Sequence, residues 1–389
     1  MNASILFPAV APTGFQTPNH KARQVRFALL LLVIPLIFPI TELAARAPST
    51  GGGKPPPPAQ ILPVSLGVPP ECSSTEGTGL NNGAYPGALV VTAITMGCAS
   101  QYNRPYSWQG GSWHDLGTLP GATGGLALGV SDDGTVVGSL AGDSVGQAFV
   151  VKGGGAMAGL PLLSGMVHAS ADGISEDGTH IFGDNSTDTE WPAVRWNWNG
   201  SGWSVEEIGV GAPTGSTDDG STMVGNWGGD RNAWVWLEGG SQQGLGDDSM
   251  ANDVSPAGTM IVGFRWASCG TSCEYEIPVY WTVSGGTWVR HDLLALDGVD
   301  SRAQGVGEVG GKLVIVGFGY TKKDAIMRAV AWLPQSGGTY GAPIRLAALG
   351  GNSKFWATAA DVNANGKVLG TSRVSGLNRA AVLWTLPTP

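Results

Sequence analysis

The sequence predicts an all-β fold: a β-propeller, seven-bladed with a split closing blade. Three observations predict it. A small residue followed three places on by Trp, once by Val, recurs down the chain and ends at Trp108, Val151, Trp196, Trp236, Trp281, Trp332 and Trp384, at spacings of 43, 45, 40, 45, 51 and 52. Each unit holds four short apolar segments, and Asp133-Gly134, Asp177-Gly178 and Asp219-Gly220 punctuate them. Asp-Gly between apolar runs is a hairpin signal, because Gly supplies the positive φ of the turn. Finally, residues 381–384 supply one lone strand and residues 88–97 (ALVVTAITMG) resemble the last two strands of a unit. Joining these ends closes the ring and leaves no long free edge. Six blades is the alternative count, and four strands every 40–50 residues is what a blade requires in either case.

The N-terminus is read first. His20, Lys21, Arg23 and Arg26 precede an uncharged apolar run at residues 27–40, and Ala45-Arg46-Ala47 follows as a small-x-small cleavage signal. That order is a secretory signal peptide over residues 1–47 with an extended basic region. An uncleaved anchor is the alternative, although the run is shorter than the ~20 residues of a spanning helix and contains Pro35 and Pro39. Residues 48–71 are rich in Pro and Gly and read as a spacer. The propeller is expected over residues 72–389. Export permits disulfides, with Cys72 and Cys98 pinning the start of the domain and Cys269 and Cys273 stapling one loop.

Within the repeat, the other landmarks are Ala with a small residue four places on (Ala127/Ser131, Ala171/Ser175, Ala251/Ser255) and an apolar run ending in Gly (Gly138, Gly183, Gly225, Gly263, Gly317, Gly370). The DLGTLPG of residues 115–121, the LGGNS of residues 349–353 and the ordered A-x-x-V-S, G-x-V-x-G and A-x-x-W elements resemble the HAF-repeat family of exported bacterial proteins. That resemblance implies an exported repeat domain without a defined common activity. The name-giving His is replaced, by Arg104, Gln147, Pro192, Asn232, Ile277, Arg328 and Ala380.

Composition bounds the function. The 389 residues carry a net charge of −9, only 13% are charged, and there are 62 Gly and 15 Trp. An acidic chain without clustered Lys and Arg lacks the footprint of a nucleic-acid binder. The GVGEVG of residues 305–310 precedes a strand where a dinucleotide fingerprint needs a helix, and no HExxH or GxSxG occurs. No cofactor and no metal is implied. The SDDGT and SEDGT turns resemble sialidase Asp-boxes but read as hairpin turns held by Asp and Ser to backbone bonds.

Aromatic residues outside the repeat are the informative ones. In an antiparallel blade alternate connections fall on opposite faces, so the loops after each G-x-V-x-G strand share a face away from the Asp-Gly turns. That face gathers Trp227, Trp266, Tyr320 and Trp356 with Asp248 and Arg302, and also His168, Asp247, Asp300 and Lys354. The expected function is an exported, monomeric binding module that is not an enzyme, for a glycan or a cell-surface protein. Alternatives are a polysaccharide-acting hydrolase or lyase, with Asp248, Asp300 and His168 as candidate acids, and a structural envelope protein.

Overall fold

The structure is a computed structural model and describes residues 60–83, 89–99, 102–142, 146–227, 231–270, 273–376 and 378–387, without the side chains of 269, 270 and 273. Seven antiparallel four-stranded sheets form the seven blades of a propeller. The signal peptide expected over residues 1–47 lies outside the described residues, and so does the side-chain chemistry of Cys269 and Cys273. Among the described residues no helix is long and apolar enough to cross a membrane.

Each blade begins at the axis with the A-x-x-V-S strand and ends outside with the Leu-Gly segment. Blade 5, for instance, runs Ser249–Val254, Met260–Gly270, Cys273–Ser284 and Thr287–Asp292 from axis to rim. Sequential strands pair because short connections join them, in blade 5 the five residues between Val254 and Met260 and the two between Ser284 and Thr287. In blades 2 and 3 the turn is fixed as expected: Asp133 accepts from Ser131 Oγ (2.6 Å) and Thr135 N (2.9 Å), and Asp177 accepts from Ser175 Oγ (2.6 Å) and Thr179 N (2.9 Å). Gly134 and Gly178 take φ values of 78° and 71° there, a conformation only Gly adopts without steric cost.

The seventh blade is split, but not between the segments expected. Val90–Met96 pairs with Ser74–Leu80 and Pro105–Gln109 inside a complete blade 1. The C-terminal strands Ala357–Val362, Lys367–Ser375 and Asn378–Thr385 form three quarters of blade 7. Their outermost partner is Val64–Ser65, paired Val64↔Leu383 and Ser65↔Val382. The 88–97 segment resembles two consecutive strands because its apolar run is long; hydrogen-bond demand gives it instead to one strand with partners on both sides. Val64 and Ser65 come from the stretch read as spacer, so the ring starts upstream of Cys72. Cys72 and Cys98 form a disulfide beside this closing segment, a bond that belongs to a non-cytoplasmic environment.

Packing lies between blades. Seven clusters of buried apolar side chains occupy the seven interfaces, from Val90, Ala127 and Phe149 between blades 1 and 2 to Leu66, Val91 and Leu383 between blades 7 and 1. The repeated Trp has a specific job. Trp196, Trp281, Trp332 and Trp384 are fully buried, and their indole N–H groups donate to Pro161, Leu245, Leu294 and Ala347 carbonyls at 2.7, 3.0, 2.8 and 2.8 Å. Each acceptor lies in the loop that leaves the preceding blade. The ring is thus fastened blade to blade by a large apolar side chain whose one polar atom is satisfied. Trp113 fills the same role at the closing seam through Leu66 O (2.9 Å).

All seven innermost strands carry a β-bulge at the same place. The residue after the bulge is Gly in five blades (Gly79, Gly129, Gly173, Gly215, Gly305) and Asp253 or Asp361 in the others. A Cβ on Gly129 would lie 2.8 Å from the Gly173 Cα, and one on Gly305 2.6 Å from the Ala360 carbonyl oxygen. The innermost strands therefore crowd round a narrow axial channel.

Candidate functional site

Two regions concentrate polar and aromatic chemistry, one at each end of the channel. The loop face is built by strands that overrun the Gly of the second strand. In blade 5 Gly263 is followed by Phe264 and Trp266, and in blade 6 Gly317 is followed by Phe318 and Tyr320. Period-two alternation puts both aromatics of each pair on one side of their strand. Phe264 and Trp266 meet edge to face at 4.9 Å, and Phe318 and Tyr320 at 6.3 Å.

Arg302 sits between these pairs, at the start of the innermost strand of blade 6, Ser301–Val309. Its guanidinium carbon lies 4.3 Å from the Phe264 ring centre and 5.7 Å from that of Phe318. A bidentate pair joins it to Glu276, with Nε to Oε2 at 2.6 Å and Nη2 to Oε1 at 2.5 Å, a geometry that fixes both side chains. Glu276 N donates to Asp300 Oδ1 (2.7 Å), and Tyr320 N donates to the Asp300 carbonyl (2.9 Å). Trp266 is covered on one side by Arg231, 4.5 Å from its ring centre, which in turn pairs with Glu274 at 2.7 Å. Beside this group lies an open cleft of about 290 Å³ between Tyr275, Gly298, Val299 and Asp300. Burial pushes the Tyr320 phenol up, so it stays a hydrogen-bond donor at neutral pH.

Of the residues singled out in the sequence, Trp266, Tyr320 and Arg302 thus belong to one site. Asp248 adjoins it: exposed, with φ 51°, it accepts through its carbonyl from Trp266 N (2.9 Å). Trp227 stands apart; its indole donates to Gln242 Oε1 (3.1 Å) and its ring packs in the interface of blades 3 and 4. Trp356 lies in the loop entering blade 7, which Arg328 of blade 6 ties down through Ser353 O and Phe355 O. The candidate acids are separately engaged: His168 Nδ1 accepts from Gly146 N (2.9 Å), Asp300 from Glu276 N, and Asp248 stands at the surface. Phe264, Tyr275, Glu276 and Phe318 were not singled out, although G-F-R-W and G-F-G-Y at residues 263–266 and 317–320 are visible as a pair.

Towards the Asp-Gly end the channel holds a cavity of about 440 Å³, lined by Asp172, Asp253, Glu308 and Asp361 of the innermost strands and by Glu176 and Asp218 of the turns. Asp253 accepts from Val254 N (2.8 Å) and, across the interface, from Val306 N (2.9 Å). Asp361 does the same with Val362 N (2.7 Å) and Leu80 N (3.1 Å). These two carboxylates stand where other blades have Gly and bridge blade 5 to 6 and blade 7 to 1. Lining carboxyls are pushed up: Asp361 to about 6 through burial, Asp172 to about 7 through burial and the Asp184 charge, and Glu176 to about 10 through burial and Asp132. Glu176 therefore keeps its proton at neutral pH, and Asp172 exchanges its own close to neutrality. Among the described residues no three His, Cys, Asp or Glu side chains converge as metal ligands.

No family model and no curated protein matches the chain. Solved structures do match. An oligogalacturonate lyase in complex with manganese is 14% identical with a TM-score of 0.51, covering 83% of this chain and 92% of that one. The oligogalacturonate lyase of Vibrio parahaemolyticus is 12% identical with a TM-score of 0.51, covering 83% and 93%. The β-propeller domain of the Trilobed protease from Pyrococcus furiosus is 12% identical with a TM-score of 0.48, covering 80% and 94%. At such identities the likeness is one of fold: the chain is similar to these propellers in architecture.

Proposed function

We propose that the protein is an exported binding propeller that takes a carbohydrate or protein ligand on its loop face, at blades 5 and 6. One observation carries this reading: Trp266, Tyr320, Arg302, Glu276 and Asp300 are locked into a single rigid group beside an open cleft at the rim. Preorganised aromatic and polar groups lower the entropic cost of binding. Apolar ring faces next to fixed hydrogen-bonding groups suit a sugar or a peptide equally. The experiment is a binding screen of the full-length protein against immobilised glycans and secreted proteins, repeated with Trp266→Ala and Trp356→Ala. Trp266→Ala is expected to weaken binding at least tenfold and Trp356→Ala, in its separate loop, by less. Unchanged binding in a folded Trp266→Ala variant overturns the reading.

A hydrolase or lyase acting on polysaccharide is the second reading, and the channel carboxyls favour it. A carboxyl raised by burial to about 7, as Asp172 is, is poised for proton transfer near neutral pH, the property required of a general acid. Turnover of a bound polysaccharide that Asp172→Asn abolishes would support it; binding without turnover leaves the first.

A further inference from the structure

We propose that the cleft between Tyr275 and Asp300 is a subsite for one or two rings of a neutral hexose oligosaccharide, with Tyr275 as the stacking plate and the Asp300 carboxylate as acceptor for sugar hydroxyls. The inference rests on the loop-face reading above and narrows it to one ligand class.

Size comes first. The cleft holds about 290 Å³, at the lower edge of the ~300–1,000 Å³ typical of small-molecule pockets, so it suits one or two pyranose rings and excludes a folded epitope. Shape comes next. Tyr275 is 39% exposed, on a strand whose inner residues are buried, and so presents its ring to the cleft rather than to the core. An aromatic face offers the flat apolar surface that the C–H face of a pyranose needs, while the phenol tip stays wet. Gly298 (φ 71°) forms part of the lining, and a Cβ there would meet nothing within 4 Å, so the backbone is bare to a ligand at that point. Asp300 is held by Glu276 N (2.7 Å), which uses one acceptor position of a carboxylate that has about four. Its remaining capacity matches vicinal hydroxyl donors.

Charge selects among sugars. The guanidiniums that touch the aromatic pairs or their strands are matched, Arg231 by Glu274, Arg302 by Glu276 and Arg265 by Asp292, while Arg290 lies farther out against the Asp247 carbonyl. Asp300 and the exposed Asp248 add two further carboxylates. Asp300 lies in the cleft lining itself, so a uronate seated there meets like charge at close range while a neutral hexose does not, and unfavourable juxtaposition is how a site rejects a near relative.

Calorimetric titration of the full-length protein tests this, using cellohexaose, laminarihexaose, mannohexaose and hexagalacturonate at low ionic strength. At least one neutral hexasaccharide should bind, and hexagalacturonate should bind at least tenfold more weakly. Tyr275→Ala should weaken the neutral ligand tenfold or more, and Tyr275→Phe, which keeps the ring, by less than threefold. Both variants alter an exposed side chain, and an unchanged melting temperature confirms folding. Binding of no neutral sugar, tighter binding of hexagalacturonate, or indifference to Tyr275→Ala overturns the inference. A protein partner sensitive to Trp266→Ala, with every sugar silent, overturns it too while the loop-face reading stands.

Discussion

Replacing Asp172 by Asn should stabilise the protein at pH 8 and leave it unchanged at acid pH. Asp172 lies in the axial channel, where burial and the neighbouring Asp184 charge raise it from 3.8 to about 7. Its one fixed partner is Ser170 Oγ at 2.6 Å, a donor that an Asn carbonyl accepts equally well. The folded state therefore holds this proton more tightly than the unfolded chain does. A raised carboxyl contributes stability fully below its ordinary value, and that contribution is lost as pH rises through about 7. A shift of roughly three units corresponds to about 4 kcal/mol at 1.36 kcal/mol per unit. Burial is the larger cause and the Asp184 charge the smaller, and coupling between the two makes ~4 kcal/mol the upper figure, so the substitution should recover ~2–4 kcal/mol at pH 8. For a ring of roughly 320 residues that is a gain of about 3–6 °C in melting temperature. Thermal unfolding of both proteins from pH 4 to pH 8 is the assay. A gap that opens with rising pH supports the reasoning. A gap constant across that range, or an Asn variant less stable at pH 8, refutes the buried-carboxyl account.

Two further substitutions test how the ring is held. Trp384→Ala removes a fully buried indole and its bond to Ala347 O (2.8 Å), and should cost ~3–5 kcal/mol in urea unfolding. Arg379→Met leaves Glu76, 6% exposed and paired to Arg379 at 2.5 Å across the closing seam, without its cation; at pH 7 the loss should be about 3 kcal/mol or more, and adding Glu76→Gln should restore part of it.

The architecture was legible because it is periodic. Hairpin turns at Asp133-Gly134 and Asp177-Gly178, the Trp at one position in six of the seven blades and the count of seven all follow from features repeated until they stand above noise. The closing strand was not legible, since two residues, Val64 and Ser65, carry no pattern and are strands only because Leu383 and Val382 offer them partners. A similar limit hid the channel. Asp253 and Asp361 look like variable positions until the bulge in all seven innermost strands shows that this residue faces the axis, where Gly is otherwise required by the close approach of neighbouring strands. On the loop face, strand order alone placed Trp266, Tyr320 and Arg302 together, because antiparallel pairing dictates which loops share a face. It could not separate Trp227, which packing draws into the interface of blades 3 and 4, nor supply Tyr275 and Glu276, which reach the site from a third strand through cross-strand register with Ala267 and Trp266.

The central claim, that the loop face of blades 5 and 6 is the binding surface, is tested most directly by hydrogen exchange on the full-length protein with and without its best-binding hexasaccharide. Protection is expected at residues 264–268, 274–277, 298–302 and 318–320. Protection confined instead to the Asp-Gly turns around residues 132, 176 and 218 would contradict the account and place binding at the acidic end of the channel.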